Sequence, residues 1–517
     1  MTEMNGAESL VRTMLAGGVD VCFTNPGTSE MHFVAALDHV PGMRSVLALF
    51  EGVATGAADG YWRMARKPAS TLLHLGPGLA NGLSNLHNAK KAGSGVLNIV
   101  GEHALPHLEL DAPLASDIEG VARPVSHWVE TSTSAADVGA DAARAIQAAG
   151  TAPGQVATLI LPGDTAWTDG GVVADPLAPP APVAIDPMQM DAAAAALTGA
   201  DSLLLLGGQA LTEDNLARAG RIAAKTGCAI LSEWSNARME RGAGRVGIGK
   251  VPYPIEQALE KLAPFKRIVL VGAREPIGFF AYPGKPARLT RPDVEFVPLG
   301  DAGSDLGAAL DGLEQATGAA GLTPAGVHNR AEAATPSGAL TPETIAAALT
   351  ATLPEQAIVV DESITTGRSF FPATFGAAPV TWMNNCGGSI GYGLPVAIGA
   401  AIACPDRKVV SLTGDGSAMY TVQALWTMAR EGLDVTTLIF SNRSYKILRG
   451  ELTNVGVQNP GPRAIDMLSL DRPALDWVQM ARSMGVEAER VETAATLAAA
   501  MQNGFASGGP YLIEVML

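Results

Sequence analysis

Short unbroken apolar runs alternate with helical periodicity along almost the whole chain. RSVLALF (Arg44–Phe50) reads as a buried strand, followed by a helix from about Gly52 to Arg66. STLLHL, GVLNIVG and VATLILP continue the first stretch; DSLLLLGG, CAILSE and RIVLVGA lie in the middle; QAIVVDE, KVVSLTG, VTTLIFSN and PYLIEVM lie in the last. Strands that are apolar throughout, set between helices, indicate parallel sheets covered on both faces. Two Pro/Ala-rich stretches divide the pattern. Pro176–Val183 (PLAPPAPV) holds four prolines and cannot sit inside a helix or a central strand. The second stretch, from about Gly318 to Leu340, leads into a helix start with Thr341 as cap and Pro342 in the first turn. The expected fold class is therefore α/β: three consecutive domains of mostly parallel sheets covered by helices, at 1–175, 184–317 and 340–517.

Composition narrows the function classes. Over 517 residues, hydrophobic residues make up 47% and charged residues 17%, which excludes wholesale disorder. The formal net charge of −16 is ill suited to gripping a phosphate backbone, so nucleic acid is not an expected partner. Sparse charge also hints at surface hidden in an oligomer, although an Ala- and Gly-rich chain dilutes charge by itself. The four cysteines, Cys22, Cys228, Cys386 and Cys404, form no C-x-x-C pair, which fits a reducing compartment. MTEMNGAESLVRTML lacks a signal-peptide pattern and no long apolar run suggests a membrane span, so a cytoplasmic protein is expected.

The densest chemistry lies in Lys408–Leu448. A strand ends at Gly414-Asp415-Gly416-Ser417, a helix follows, and the next strand ends at Asn442, 27 positions after Asp415. Asp-Gly alone is an ordinary turn dipeptide. In the order strand–GDGS–helix–strand–Asn, however, Asp415 and Asn442 meet at the carboxyl ends of neighbouring parallel strands, where ligands bind. One carboxylate and one amide oxygen suit Mg²⁺ carrying ligand phosphates. Gly414 and Gly416 let backbone amides approach phosphate oxygens, and a helix start at Ser417 favours anions. In the first block, Glu51 closes an apolar strand, where desolvation raises a carboxyl pKa; a Glu is also simply favoured at a helix start. His74 ends another strand, as a core histidine or as a proton relay. Gly76, Pro77 and Gly78 read as a turn after it.

These residues resemble the thiamine diphosphate-dependent family that includes acetolactate synthases, pyruvate oxidases, oxalyl-CoA decarboxylases and benzoylformate decarboxylases. The resemblance recurs over nearly the whole chain and implies pyrimidine-binding, middle and diphosphate-binding domains in that order. It implies that Asp415, Asn442 and the carbonyl of Ser444 hold Mg²⁺ against the diphosphate. It gives Glu51, with Ala54, Ala57, Ala58, Asp59, Gly60 and Tyr61 after it, the role of bonding the cofactor's pyrimidine ring. Aligned on G-x-G-L-P, Ile390 is the apolar ledge that bends the cofactor, and Thr365 in DESITTGRSFF is a diphosphate partner. CFTNPGTSEMHF resembles the start of benzoylformate decarboxylases and places Thr28 where a serine contacts the substrate carboxylate. In that branch the position of His74 relays protons.

Some positions depart from the pattern. Glu102, followed by His103, stands where the family often has Gln; an ionised Glu102 would repel an anionic 2-oxo acid unless neutral or paired. REPIGFFAYPG supplies no second histidine, so proton relay falls to His74, Thr28, Glu102, His103 or water. Leu448 and Glu451 are the expected substrate-lining residues. LLLLGGQAL lacks G-x-G-x-x-G, so FAD is not supported. The expected activity is decarboxylation of a small-molecule 2-oxo acid to an aldehyde by a benzoylformate decarboxylase-like lyase. The alternatives are an acetolactate synthase-like carboligase, a transferase forming a 2-hydroxy ketone, and a non-catalytic cofactor-binding paralogue, against which Glu51 argues. Relatives build the site from two chains, so the expected partner is a second copy: a homo-oligomer, dimeric at least, with a homotetramer common in the family.

Overall fold

The computed structural model describes residues 4–332 and 336–517. The first three residues of the N-terminal segment and positions 333–335 of the second Pro/Ala-rich stretch lie outside the described residues.

Three sheets follow one another along the chain. The first is wholly parallel, built from β1 (Val21–Asn25), β2 (Arg44–Leu47), β3 (Ala69–Leu73), β4 (Val96–Glu102), β5 (Trp128–Thr131) and β6 (Val156–Pro162) in the order β2-β1-β3-β4-β6-β5. The middle stretch gives β7 (Ser202–Leu206), β8 (Ala229–Ser232), β9 (Met239–Arg241), β10 (Gly249–Lys250), β11 (Arg267–Val271) and β12 (Glu295–Pro298). Five of these make a parallel sheet, β10-β8-β7-β11-β12. The last stretch gives β13 (Ile358–Glu362), β14 (Val380–Asn384), β15 (Val409–Gly414), β16 (Val435–Ser441), β17 (Glu487–Val491) and β18 (Tyr511–Met516). Their sheet runs β17-β18-β16-β15-β13-β14-β9, with β9 antiparallel on β14. The architecture is thus the expected one of mostly parallel sheets under helices. A strand lent by the middle stretch to the last sheet is the feature that the hydrophobic pattern did not show, since three residues, MER, carry no periodicity.

Other details also differ from the expectations. Arg44–Phe50 is not one buried strand: β2 stops at Leu47 and lies at the sheet edge, with Arg44 and Ser45 exposed. Gly76-Pro77-Gly78 is not a free turn. It forms the first turn of the helix Leu75–Ala92, where a missing proline N–H costs nothing. The helix after Gly414 is broken into Asp415–Ala418, a 3₁₀ turn and Ala424–Glu431. Thr341 does cap Pro342–Thr352, accepting from the Thr344 amide.

The helices Glu51–Ala65 and Gly393–Ala403 cross so closely that backbones touch. A Cβ on Gly60 would stand 2.1 Å from the Val396 carbonyl oxygen, and one on Gly399 would stand 1.9 Å from that of Ala57. One apolar core therefore runs from the first sheet into the last, joining Val53, Ala57 and Tyr61 to Leu394, Val396 and Ile398. A second core joins Leu204 and Val269 of the middle sheet to Val359 and Trp382 of the last. Among the described residues, no helix is long and apolar enough to cross a membrane.

Candidate functional site

The carboxyl ends of β1, β2, β3 and β4 bring the predicted residues of the first block together. Glu51 begins its helix buried, with Oε2 accepting a 3.0 Å hydrogen bond from Asn81 Nδ2. His74 follows β3 as the cap of the next helix. Its Nδ1 lies 2.8 Å from Oε2 of Glu30, whose side chain is almost wholly buried. The Gly27 amide donates to the same carboxylate at 2.8 Å, and Ser29 Oγ donates to its other oxygen at 2.8 Å. Glu30 thus holds an Nδ1–H tautomer of His74 and leaves Nε2 free. A Cβ on Gly27 would stand 2.1 Å from His74 Nδ1, so only glycine admits the ring here. Gly78 lies between the two acid–base groups: a Cβ there would meet Glu51 Oε1 at 3.1 Å and His74 Cβ at 3.2 Å. Thr28 opens the 3₁₀ turn Thr28–Glu30 and is exposed.

Glu102 ends β4 beside Gly101, where a Cβ would run into Glu30 Oε1. Burial pushes the Glu102 carboxyl upward, opposed by a 2.7 Å hydrogen bond from the His103 amide. His103 Nε2 is buried without a partner among the described residues, and its ring packs 5.3 Å from that of His107. Glu30 and Asn81 were not read from the sequence. Glu30 sits two residues after Thr28 in the same motif, but its partner lies 44 positions on.

In the last block, Asp415 is buried at the mouth of β15. Its Oδ1 accepts the Gly416 amide at 2.9 Å and its Oδ2 the Arg443 amide at 2.7 Å. Burial pushes this carboxyl above its ordinary range. Asn442 follows β16 and its Oδ1 accepts the Ser444 amide at 3.0 Å. Arg443 between them takes φ +53°, which turns the loop back toward Asp415. Asp415 and the loop 442–444 therefore converge. Ser417 is buried in the short helix opened by Gly414. Ser363 Oγ is committed to Asp361 Oδ1, whereas Thr365 is half-buried and bonds to nothing within the described chain.

Ile390 is half-buried in the loop between β14 and the helix Gly393–Ala403. A residue not singled out in the sequence grips the backbone just after it. Glu362, at the end of β13 and 3% exposed, accepts the amides of Gly391, Tyr392 and Gly393 at 3.0, 3.1 and 2.9 Å. Leu448 is exposed on the helix Lys446–Asn454, and Glu451 on that helix accepts a 2.6 Å hydrogen bond from Tyr282 Oη. Tyr282 ends an aromatic row with Phe279 and Phe280 in REPIGFFAYPG, the segment that supplies no second histidine. Asn85 ties the blocks together, its Nδ2 donating to the carbonyls of Gly52 (2.8 Å) and Gly391 (3.2 Å).

Comparison with known proteins gives the family. Residues 4–121 match the N-terminal thiamine pyrophosphate-binding domain model of thiamine pyrophosphate enzymes, and residues 370–515 match the C-terminal one. The chain is 50% identical to the "Putative acetolactate synthase large subunit IlvX" of Mycobacterium tuberculosis, over 99% of both chains. It is 28% identical to a benzoylformate decarboxylase of Pseudomonas aeruginosa, over 96% of both. A thiamine diphosphate-dependent 4-hydroxybenzoylformate decarboxylase of Rhodococcus jostii shares its fold, with a TM-score of 0.83 at 23% identity over 99% of both chains. With both cofactor-binding halves matched and a relative half identical from end to end, the chain belongs to the thiamine pyrophosphate enzymes, in the acetolactate synthase and decarboxylase group.

Proposed function

We propose that the protein uses thiamine diphosphate and Mg²⁺ to decarboxylate a 2-oxo acid and release an aldehyde, as a cytoplasmic lyase of the benzoylformate decarboxylase kind. The observation that carries this reading is the Glu30-oriented His74 standing one glycine away from buried Glu51. We further divide the chain into a pyrimidine domain (1–175), a middle domain (184–317) and a diphosphate domain (340–517).

The residues suit the cofactor and its metal. Asp415 is a buried carboxylate with no cationic partner among the described residues, a costly state that a divalent ion relieves. The Asn442 amide oxygen and the Ser444 carbonyl complete a set of hard oxygen donors of the kind Mg²⁺ takes. Gly414, Gly416, Ser417 and Thr365 supply amides and hydroxyls for diphosphate oxygens, and Ile390 supplies the ledge. Thiamine diphosphate, when bound, provides the electron sink that lets CO₂ leave. Glu51, oriented by Asn81, holds a proton at its carboxyl for the pyrimidine ring. His74 moves a proton at Nε2, because Glu30 occupies Nδ1. Exposed Thr28 offers its hydroxyl to the substrate carboxylate. Burial pushes the Glu102 carboxyl upward, which lessens the repulsion of an anionic substrate. His103, Leu448 and Glu451 line the substrate side.

FAD is left out of this reading. In the middle sheet, Glu233 brings a carboxylate to Gly207, where a Cβ would lie 2.7 Å from Oε2, and it takes the Arg274 amide at 3.1 Å. That side chain already fills the crevice and takes a backbone amide that a diphosphate would use.

Carboligation is the second reading. It is favoured by the name of the relative that is half identical over the full length, and by the synthase-like Gly-Pro-Gly after His74. The test is to incubate the purified protein with thiamine diphosphate, Mg²⁺ and a panel of 2-oxo acids, following CO₂ and identifying products by mass spectrometry. Aldehyde with CO₂ supports the lyase; a 2-hydroxy ketone supports the carboligase. No CO₂ and no ligation product from any acid would sink both and leave a non-catalytic paralogue.

A further inference from the structure

We infer that Glu362 is a positioning residue for the cofactor ledge: by accepting the amides of Gly391, Tyr392 and Gly393, its carboxylate fixes where Ile390 stands. The inference rests on the reading of Ile390 as that ledge.

The first amides of a helix have no partners inside it, and the usual remedy is a side chain at the preceding residue. The helix Gly393–Ala403 begins after Tyr392, whose side chain makes no cap bond. The acceptor comes instead from Glu362, 29 to 31 positions away at the end of β13. Thr413 Oγ1 of β15 adds a 3.4 Å donor to the same carboxylate. Gly391 takes φ +90°, a turn that leaves the loop slack unless something outside it holds it. Its amide is held by Glu362, and its carbonyl accepts Thr421 Oγ1 at 3.0 Å and Asn85 Nδ2 at 3.2 Å. The residue after Ile390 is thus pinned on both sides.

A carboxylate is an expensive way to cap a helix in a dry place. Burial pushes the Glu362 carboxyl up to about 7, against the four donors that pull it down. A local Ser or Asp would satisfy the helix at lower cost. What the distant carboxylate adds is a fixed distance between the end of β13, beside Thr365, and the loop carrying Ile390. Fixed placement of groups against a bound reactant is where catalytic geometry comes from.

The experiment compares Glu362→Gln and Ile390→Ala in the full chain loaded with thiamine diphosphate and Mg²⁺. Three quantities are read: the cofactor Kd by calorimetry, the near-ultraviolet circular dichroism of the bound cofactor, and kcat against KM. We expect both variants to weaken cofactor binding by about tenfold or more, to change the dichroism in the same sense, and to lower kcat more than they change KM. If Ile390→Ala shifts binding and dichroism while Glu362→Gln matches the wild type, the inference is overturned and the ledge survives. If Ile390→Ala changes neither, the ledge reading fails and takes the inference with it. Should Glu362→Gln not fold, hydrogen exchange in the wild-type holoenzyme decides. The amides of 391–393 should exchange slowly, since without the carboxylate they have no partner among the described residues; rapid exchange there overturns the inference.

Discussion

Glu51, Glu30 and Glu362 are three buried carboxylates with three different partners, and each makes a separate prediction. Glu51 bonds to an amide side chain, Asn81, that leaves it free to exchange a proton. Glu51→Gln should lower kcat by about 100-fold to 10,000-fold, the range of a lost acid–base group, while calorimetry shows cofactor binding within a few-fold of wild type. Unchanged kcat would remove Glu51 from the chemistry. Glu30 acts through His74: with Gln in its place the ring loses its charged partner, and kcat/KM should drop about 10-fold to 100-fold. Glu362 makes a stability prediction. Its carboxyl moves from an ordinary 4.5 to about 7 on folding. Between those values the folded state keeps a proton that the unfolded chain has released. Stability present below pH 4.5 is therefore lost as pH rises toward 7. Glu362→Gln has no proton to lose, so urea unfolding of the apoprotein should show the variant gaining on wild type by roughly 3 kcal/mol across that window. A difference that stays flat with pH would mean that the carboxyl titrates normally.

The helices Glu51–Ala65 and Gly393–Ala403 place the first and last blocks in register, and they do it by having glycine, Gly60 and Gly399, at their points of closest approach. Gly399→Ala puts a methyl 1.9 Å from the Ala57 carbonyl oxygen, which two packed backbones cannot yield to cheaply. Overpacking of this kind costs on the order of 1–3 kcal/mol, so the thermal midpoint should fall by several degrees and the cofactor Kd should rise. A wild-type midpoint would show that the crossing is loose. Elements of this kind were only partly legible in the sequence. Long apolar strands, the GDGS turn and Asn442 are local patterns, and so could be read from spacing. Glu30 with His74, and Glu362 with Gly391–Gly393, are pairings across 44 and about 30 positions, made by strands that become neighbours only in the sheet. β9 was invisible for a further reason: three residues at a sheet edge bury too little apolar surface to leave a period-two signature. Gly76-Pro77-Gly78 was misread because turn residues at a helix start satisfy the same backbone rules as a free turn.

Whether Glu51 and Asp415 serve one site within a chain or across two chains decides what the assembled molecule is. Inside one chain, Asn85 bonds to the carbonyls of Gly52 and Gly391, so the beginning of the Glu51 helix already lies near the Ile390 loop of its own last block. That favours a one-chain site. The exposed Leu49, Met31 and Tyr420 beside these elements favour a second copy closing over them, since large apolar groups left bare near a polar site mark an interface. The two arrangements differ in complementation. Glu51→Gln and Asp415→Asn are each expected to be inactive. In a two-fold dimer with shared sites, a mixed pair carries both substitutions in one site and neither in the other. Random co-assembly of equal amounts makes half the dimers mixed, so about a quarter of wild-type activity returns. If each chain builds its own site, every site in the mixture keeps a lesion and no activity returns. Co-expressing the two variants with different tags, isolating the doubly tagged species and assaying CO₂ release settles it, with about half of wild-type activity expected in that purified species for shared sites. Recovered activity requires association for function, and its absence confines the site to the fold of a single chain.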